Sequence, residues 1–80
     1  MRLDKYLKIS RIIKRRTIAN EACDAGRVEV NGKPARASYE VKEDDIILVK
    51  LGNHPLKKRV KKITEYAKKD TASEMYEILP

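Results

Sequence analysis

Apolar residues recur along this chain with two different periods. Leu3, Tyr6 and Leu7 share one side of a helical turn while Lys5 and Lys8 lie on the other, which predicts a short amphipathic helix over residues 2–8. A second helical stretch follows. Thr17 is placed to cap its start, and Gly26 stands where a left-handed C-terminal cap belongs. Between them Ile18, Ala19, Ala22 and Cys23 form one apolar arc, with Asn20, Glu21 and Asp24 facing away. The small residues Ala19, Ala22 and Ala25 suit close packing on another layer.

From Gly26 the period changes to two. Asn31-Gly32 is the preferred pair for a two-residue hairpin loop, because both positions take positive φ. The loop sets a register of Val30 opposite Lys33, Val28 opposite Ala35 and Arg27 opposite Arg36, with Val28 and Ala35 facing the core. Pro34 has no amide donor, so the return arm is expected at an edge or in a bulge. The last pairing opposes two like charges, which destabilises a sheet unless something negative lies over them.

Residues 40–45 (EVKEDD) read as a turn-like acidic loop, and IILVKL over residues 46–51 as a central strand buried on both faces. The next stretch admits two readings. Leu56, Val60, Ile63 and Ala67 recur at helical spacing, yet the Gly-Asn-His-Pro turn also allows a strand over 57–63 paired with 46–51. Periodicity alone favours the helix. The tail ASEMYEIL is either a short helix or a final edge strand.

Composition narrows the class. Eighty residues make one domain, of a size at which a single core is only marginally stable. One cysteine and one histidine exclude an internal disulfide and a Cys/His metal set. Cys23 reads as a small core residue. No apolar run approaches a membrane span and the N-terminus carries no signal-peptide core, so a cytoplasmic protein is expected, in a reducing setting.

Charge changes the picture most. The net charge is +7, and it is unevenly distributed. Residues 1–36 hold ten basic and four acidic side chains, whereas residues 37–80 hold nine and eight. A surface that served solubility alone would mix the signs throughout; this asymmetry points to a polyanionic partner.

The search for catalytic chemistry is negative. There is no phosphate-binding glycine loop, and His54 lies in a turn with no partner signature. Glu43, Asp44 and Asp45 read as a solvated run. So small a chain leaves little volume for a water-excluding pocket. No enzyme activity, metal or cofactor is expected.

The constructive signal is KRRT. Lys14, Arg15 and Arg16 precede the second helix, whose first amides are unpaired and whose dipole is positive there. Side-chain charge at such an end makes a phosphate site. With four Tyr and no Trp or Phe, backbone and shape recognition of structured RNA fits better than a stacking platform.

These residues carry a resemblance. MRLDKYL, the spaced cations Arg11 to Arg16, Ala19 and GRVEVNGKPA together resemble the RNA-binding domain named after small-subunit ribosomal protein four, the αL motif. The match covers about residues 1–51. The full chain further resembles compact stand-alone members: the fifteen-kilodalton heat-shock protein and, more closely, ribosome quality-control factors of the RqcP type.

The resemblance implies an α+β fold in which two N-terminal helices pack on a small antiparallel sheet with a short C-terminal element. It therefore favours the strand over residues 57–63. It implies a non-catalytic factor, a monomer without a membrane partner, that binds ribosomal RNA of the large subunit and peptidyl-tRNA. Such a factor steadies P-site tRNA while an RqcH-type tailing factor adds alanines. Relatives often carry Ser or Thr where Arg15 stands, and by position Arg16 matches the motif's arginine.

The expected RNA-binding set is Arg2, Lys5, Lys8, Arg11, Lys14, Arg15, Arg16, Thr17, Arg27, Lys33 and Arg36. Arg16 is expected to lie exposed, and Lys58, equally charged but in the near-neutral half, serves as its contrast. Two competing readings are a module serving an RNA-modifying enzyme and a factor for subunit assembly. A basic membrane-surface protein would need large apolar anchors that neither helix has.

Overall fold

A computed structural model describes residues 1–50, 52, 55–64, 72 and 74–80. Two helices, α1 (Leu3–Ile9) and α2 (Arg16–Asp24), precede five strands: β1 (Val28–Val30), β2 (Lys33–Pro34), β3 (Ile46–Val49), β4 (Leu56–Val60) and β5 (Tyr76–Leu79). The strands form one antiparallel sheet in the order β2-β1-β3-β4-β5. The α+β reading therefore holds. Both helices pack against each other over one side of the sheet.

Helix α1 buries Leu3, Tyr6 and Leu7 completely, each worth roughly 1.5–3 kcal/mol of apolar transfer. They meet Val28, Ile47, Val49, Val60 and Met75, which point to the helix side. The Tyr6 hydroxyl donates to the Met75 carbonyl at 2.6 Å, joining α1 to the start of β5. Burial and the nearby Tyr76 push the Tyr6 phenol well above its usual range. Ser10 ends α1, and Arg11 follows with φ +63. Few residues other than glycine or asparagine adopt that region.

Helix α2 begins one residue before the expected cap. Arg16 is its first residue and Arg15 holds the N-cap position without a side-chain bond, so Thr17 lies inside the first turn and caps nothing. The end is as read: Gly26 has φ +78, and its amide and that of Arg27 return to the carbonyls of Cys23 and Ala22. Ala19, Ala22 and Cys23 are buried, but Ile18 is 45% exposed and leaves the predicted apolar arc. Burial, then Asp4 and Asp24, push the Cys23 thiol up to about 11, so it is a protonated core group.

The hairpin loop has Asn31 and Gly32 at φ +53 and +85 and pairs Val30 with Lys33. The pairing stops early. After Glu29–Pro34, one further bond runs from the Ala35 amide to the Val28 carbonyl. The Arg27 carbonyl instead accepts from the Lys50 amide at 2.8 Å. Arg27 and Arg36 are thus not a ladder pair: Pro34 offers no donor, and β1 spends its other edge on β3.

Strand β3 is central, as read, but alternates. Ile47 and Val49 are buried on the helix side, while Ile46 and Leu48 are half-buried on the other. Residues 56–60 form a strand despite their helical spacing, because β3 and β5 satisfy the backbone on both sides. The tail resolves as the edge strand β5. Within the turn before β4, Gly52 has φ +73; Leu51, Asn53, His54 and the helical-period residue Ala67 lie outside the described residues.

Two charged residues are less exposed than the sequence suggests. Asp45 is buried and accepts from the Asn31 side chain, the Tyr39 hydroxyl and the Lys42 amide at 2.9–3.0 Å. It ties the acidic loop to the hairpin turn rather than being solvated. Lys58, opposite Ile47, faces the helix side with its ammonium 4.6 Å from the centre of the Tyr76 ring. It is a packed side chain, not a surface contrast to Arg16.

Candidate nucleic-acid interface

The site is organised by one acid that sequence reading passed over. Asp4, in the first turn of α1, is 2% exposed. Its Oδ1 accepts from Arg2 Nε at 3.2 Å and from the Lys5 amide at 2.8 Å. Its Oδ2 accepts from Arg16 Nε at 3.3 Å and Asn20 Nδ2 at 3.2 Å. Burial pushes the Asp4 carboxyl up, but the bonds from Asn20, Arg16 and the Lys5 amide outweigh that and hold it below the usual carboxylate range.

This geometry orients both arginines. Each gives Asp4 its Nε and keeps its two terminal nitrogens for a ligand, with side chains 47% and 48% exposed. Two guanidinium groups around one carboxylate leave a net positive site. Arg16 also opens α2, whose first turn holds no acidic side chain, so the dipole adds to the same charge. A groove of ≈360 Å³ runs between the helices here, lined by Asp4, Arg16, Thr17, Asn20 and Glu21. Such an arrangement suits phosphate oxygens, which accept from paired guanidinium donors.

The remaining cations divide by half of the chain. Among the described residues, Lys8, Arg11, Lys14, Arg15, Arg27, Lys33 and Arg36 are exposed and have no acidic partner. In the second half Arg59 and Lys61 share Glu77 at 3.8 and 3.3 Å, and Lys50 is paired with Glu29. Lys42, Lys57 and Lys62 in that half are exposed without an acidic partner among the described residues, so it is only partly neutralised.

Placement follows the elements. Lys8, Arg11, Lys14 and Arg15 line α1 and the connection into α2; Lys5 is half-buried on α1, and Thr17 lies in α2's first turn. Arg27 sits between α2 and β1. Lys33 shares the sheet side of Val30, which is the helix side. Lys57 and Arg59, opposite Leu48 and Ile46, lie on the other side. The structure thus brings Arg2 and Arg16 together through Asp4 and puts Lys33 on their side of the sheet. Among the described residues no group of acids, cysteines or histidines could hold a metal, and no helix is long and apolar enough to cross a membrane.

The S4 domain matches residues 1–47, and the chain belongs to this S4-domain family. It is 49% identical to the RQC P-site tRNA stabilizing factor of Streptococcus pneumoniae, over 99% of this chain and 90% of that protein. Its likeness to the protein of the same name from Bacillus subtilis is 47%, over 99% and 92%. In three dimensions it superposes on the trimeric structure of Vibrio cholerae Heat Shock Protein 15 with a TM-score of 0.92 and 28% identity, covering 99% of this chain and 81% of that one.

Proposed function

We propose that this chain is a non-catalytic RNA-binding factor of ribosome-associated quality control. It associates with the large ribosomal subunit carrying peptidyl-tRNA and stabilises the P-site tRNA, while an RqcH-type factor on the same particle extends the nascent chain with alanines. It works as a monomer in the cytoplasm. The observation that carries this reading is the pair Arg2 and Arg16, oriented by a buried acid within a surface of unneutralised cations. The name shared by relatives at 47–49% identity, RQC P-site tRNA stabilizing factor, supports the P-site tRNA part of this reading.

In this role the chain supplies positioning alone. Arg2, Arg16 and the amides opening α2 take one phosphate neighbourhood. Lys8, Arg11, Lys14, Arg15, Arg27, Lys33 and Arg36 extend the contact, and Lys5 and Thr17 flank it. Contacts of this kind hold register and orientation without reading sequence.

The test is sedimentation of tagged protein with ribosomal fractions from cells, followed by a salt series on isolated large subunits. Co-migration with split large subunits carrying tRNA is expected, with affinity falling by about 0.7–0.9 log units per log unit of salt for each phosphate neutralised. Migration apart from ribosomal particles, or affinity independent of salt, contradicts the reading.

A further inference from the structure

Helix α2 leaves one apolar side chain outside the core, and it does not stand alone. Ile18, Ala22 and Ala25, at positions i, i+4 and i+7, line a shallow depression of ≈230 Å³ whose other walls are Glu21 and Arg27. Ile18 is 45% exposed although Ala19, Ala22 and Cys23 beside it are buried. The depression is smaller than the ~300–1,000 Å³ of pockets that enclose a whole small molecule. It has room for one planar ring.

Its two charged walls differ in sign. Arg27 and Glu21 are exposed, and neither has an oppositely charged partner among the described residues. Arg27 continues the basic surface and suits a phosphate. Glu21 does the opposite: on a phosphate-binding surface an unpaired carboxylate repels the ligand unless the ligand brings it donors. Guanine does so, because its N1–H and exocyclic amino group point side by side, matching the two oxygens of a carboxylate. The described tyrosines are engaged elsewhere: Tyr6 is buried, Tyr39 bonds Asp45, and the Tyr76 ring lies under Lys58. An aliphatic floor is what this surface offers a base. Splayed-out bases are what proteins read in RNA, and they need an apolar face with a few edge partners.

We propose that this depression docks an unpaired guanine of the bound RNA, with its face on Ile18, Ala22 and Ala25, its donor edge on Glu21 and the adjoining phosphate at Arg27. The proposal deepens the RNA-binding reading above and rests on it.

Amide NMR of the ¹⁵N-labelled full chain tests it, with guanosine 5′-monophosphate and ribose 5-phosphate as probes; the second carries the phosphate without the base. Guanosine monophosphate is expected to shift the amides of Glu21 and Ala22, at the centre of the depression, in addition to those beside the arginines, which ribose 5-phosphate alone also shifts. Ile18→Ser should weaken the nucleotide by roughly tenfold, the scale of one lost aliphatic burial. Glu21→Gln, a change at an exposed side chain, should weaken guanosine monophosphate while adenosine monophosphate, which lacks the paired donors, binds no more weakly than before. Identical shifts from both probes, or an unaltered guanosine response in Glu21→Gln, overturns the proposal. Sedimentation of the wild type with large subunits separates the two levels. Normal co-migration with a failed titration removes the guanine site alone, whereas loss of co-migration removes the reading beneath it.

Discussion

Asp4 Oδ2 accepts a bond from Arg16 Nε at 3.3 Å, joining α1 to α2 across twelve residues of sequence. The same carboxylate takes Arg2 on its other oxygen. A buried acid usually weakens a phosphate site. This one fixes two guanidinium groups that each hold a long, mobile stem, so less rotamer freedom would be lost on binding a phosphate there.

The first prediction follows from the depressed Asp4 carboxyl. A folded-state pKa below the unfolded value contributes stability that is present above the unfolded value, about 4, and is lost as pH falls through the folded one. Asp4→Asn should therefore melt below the wild type at pH 7, with the gap narrowing as pH falls toward 3. Thermal melts across that range check it. A gap that stays constant contradicts the role assigned to the charge.

Arg11 supplies the second. Its φ of +63 ends α1 in a conformation that glycine adopts without cost. Arg11→Gly should hold or raise stability, by up to about 1 kcal/mol, while weakening RNA binding through the lost cation. Paired melting and binding measurements decide it; a destabilised variant with intact binding contradicts the account.

The third concerns Asp45. Asp45→Ala strips partners from the Asn31 side chain, the Tyr39 hydroxyl and the Lys42 amide together, which costs about 1–3 kcal/mol per group left unsatisfied. A loss of at least 2 kcal/mol in denaturant unfolding is expected. A change near zero would mean that water replaces the network freely.

Lys58 supplies the fourth. Its stem is buried and its ammonium lies over Tyr76, so Lys58→Ala should cost about 1–2 kcal/mol through lost packing. Lys58→Met should restore most of that, and neither variant should change RNA affinity at a temperature where it is folded. Weakened binding by folded Lys58→Met would place the interface on the wrong part of the sheet.

Features set by local chemistry were legible in the chain. Asn31-Gly32 dictated its turn because two successive positive φ angles leave few alternatives, and Gly26 closed α2 for the same reason. Strand β4 was not legible from local pattern, and the family resemblance alone favoured it. Leu56 and Val60 fit helix and strand alike, and only pairing with β3 and β5 decides between them. Asp4 looked like an ordinary polar residue on the rim of a short helix. Its role exists only once α2 packs beside α1 and delivers Arg16 and Asn20, although an acid two residues after Arg2 at a helix start was a usable signal. Ile18 misled because apolar spacing cannot say which end of an arc the neighbouring layer covers.

Binding of Arg16→Ala and Lys42→Ala to isolated large ribosomal subunits tests the central claim most directly. Lys42 is exposed, basic and remote in sequence from the helices; it replaces Lys58, which is packed. Arg16→Ala removes a charge-assisted contact worth about 1.5–3 kcal/mol, or tenfold and more in affinity. It also removes one of Asp4's partners, so binding is measured well below the variant's melting temperature. The account predicts a loss of tenfold or more for Arg16→Ala and less than threefold for Lys42→Ala. Equal losses would mean that net charge alone drives binding, and the assigned interface would be wrong.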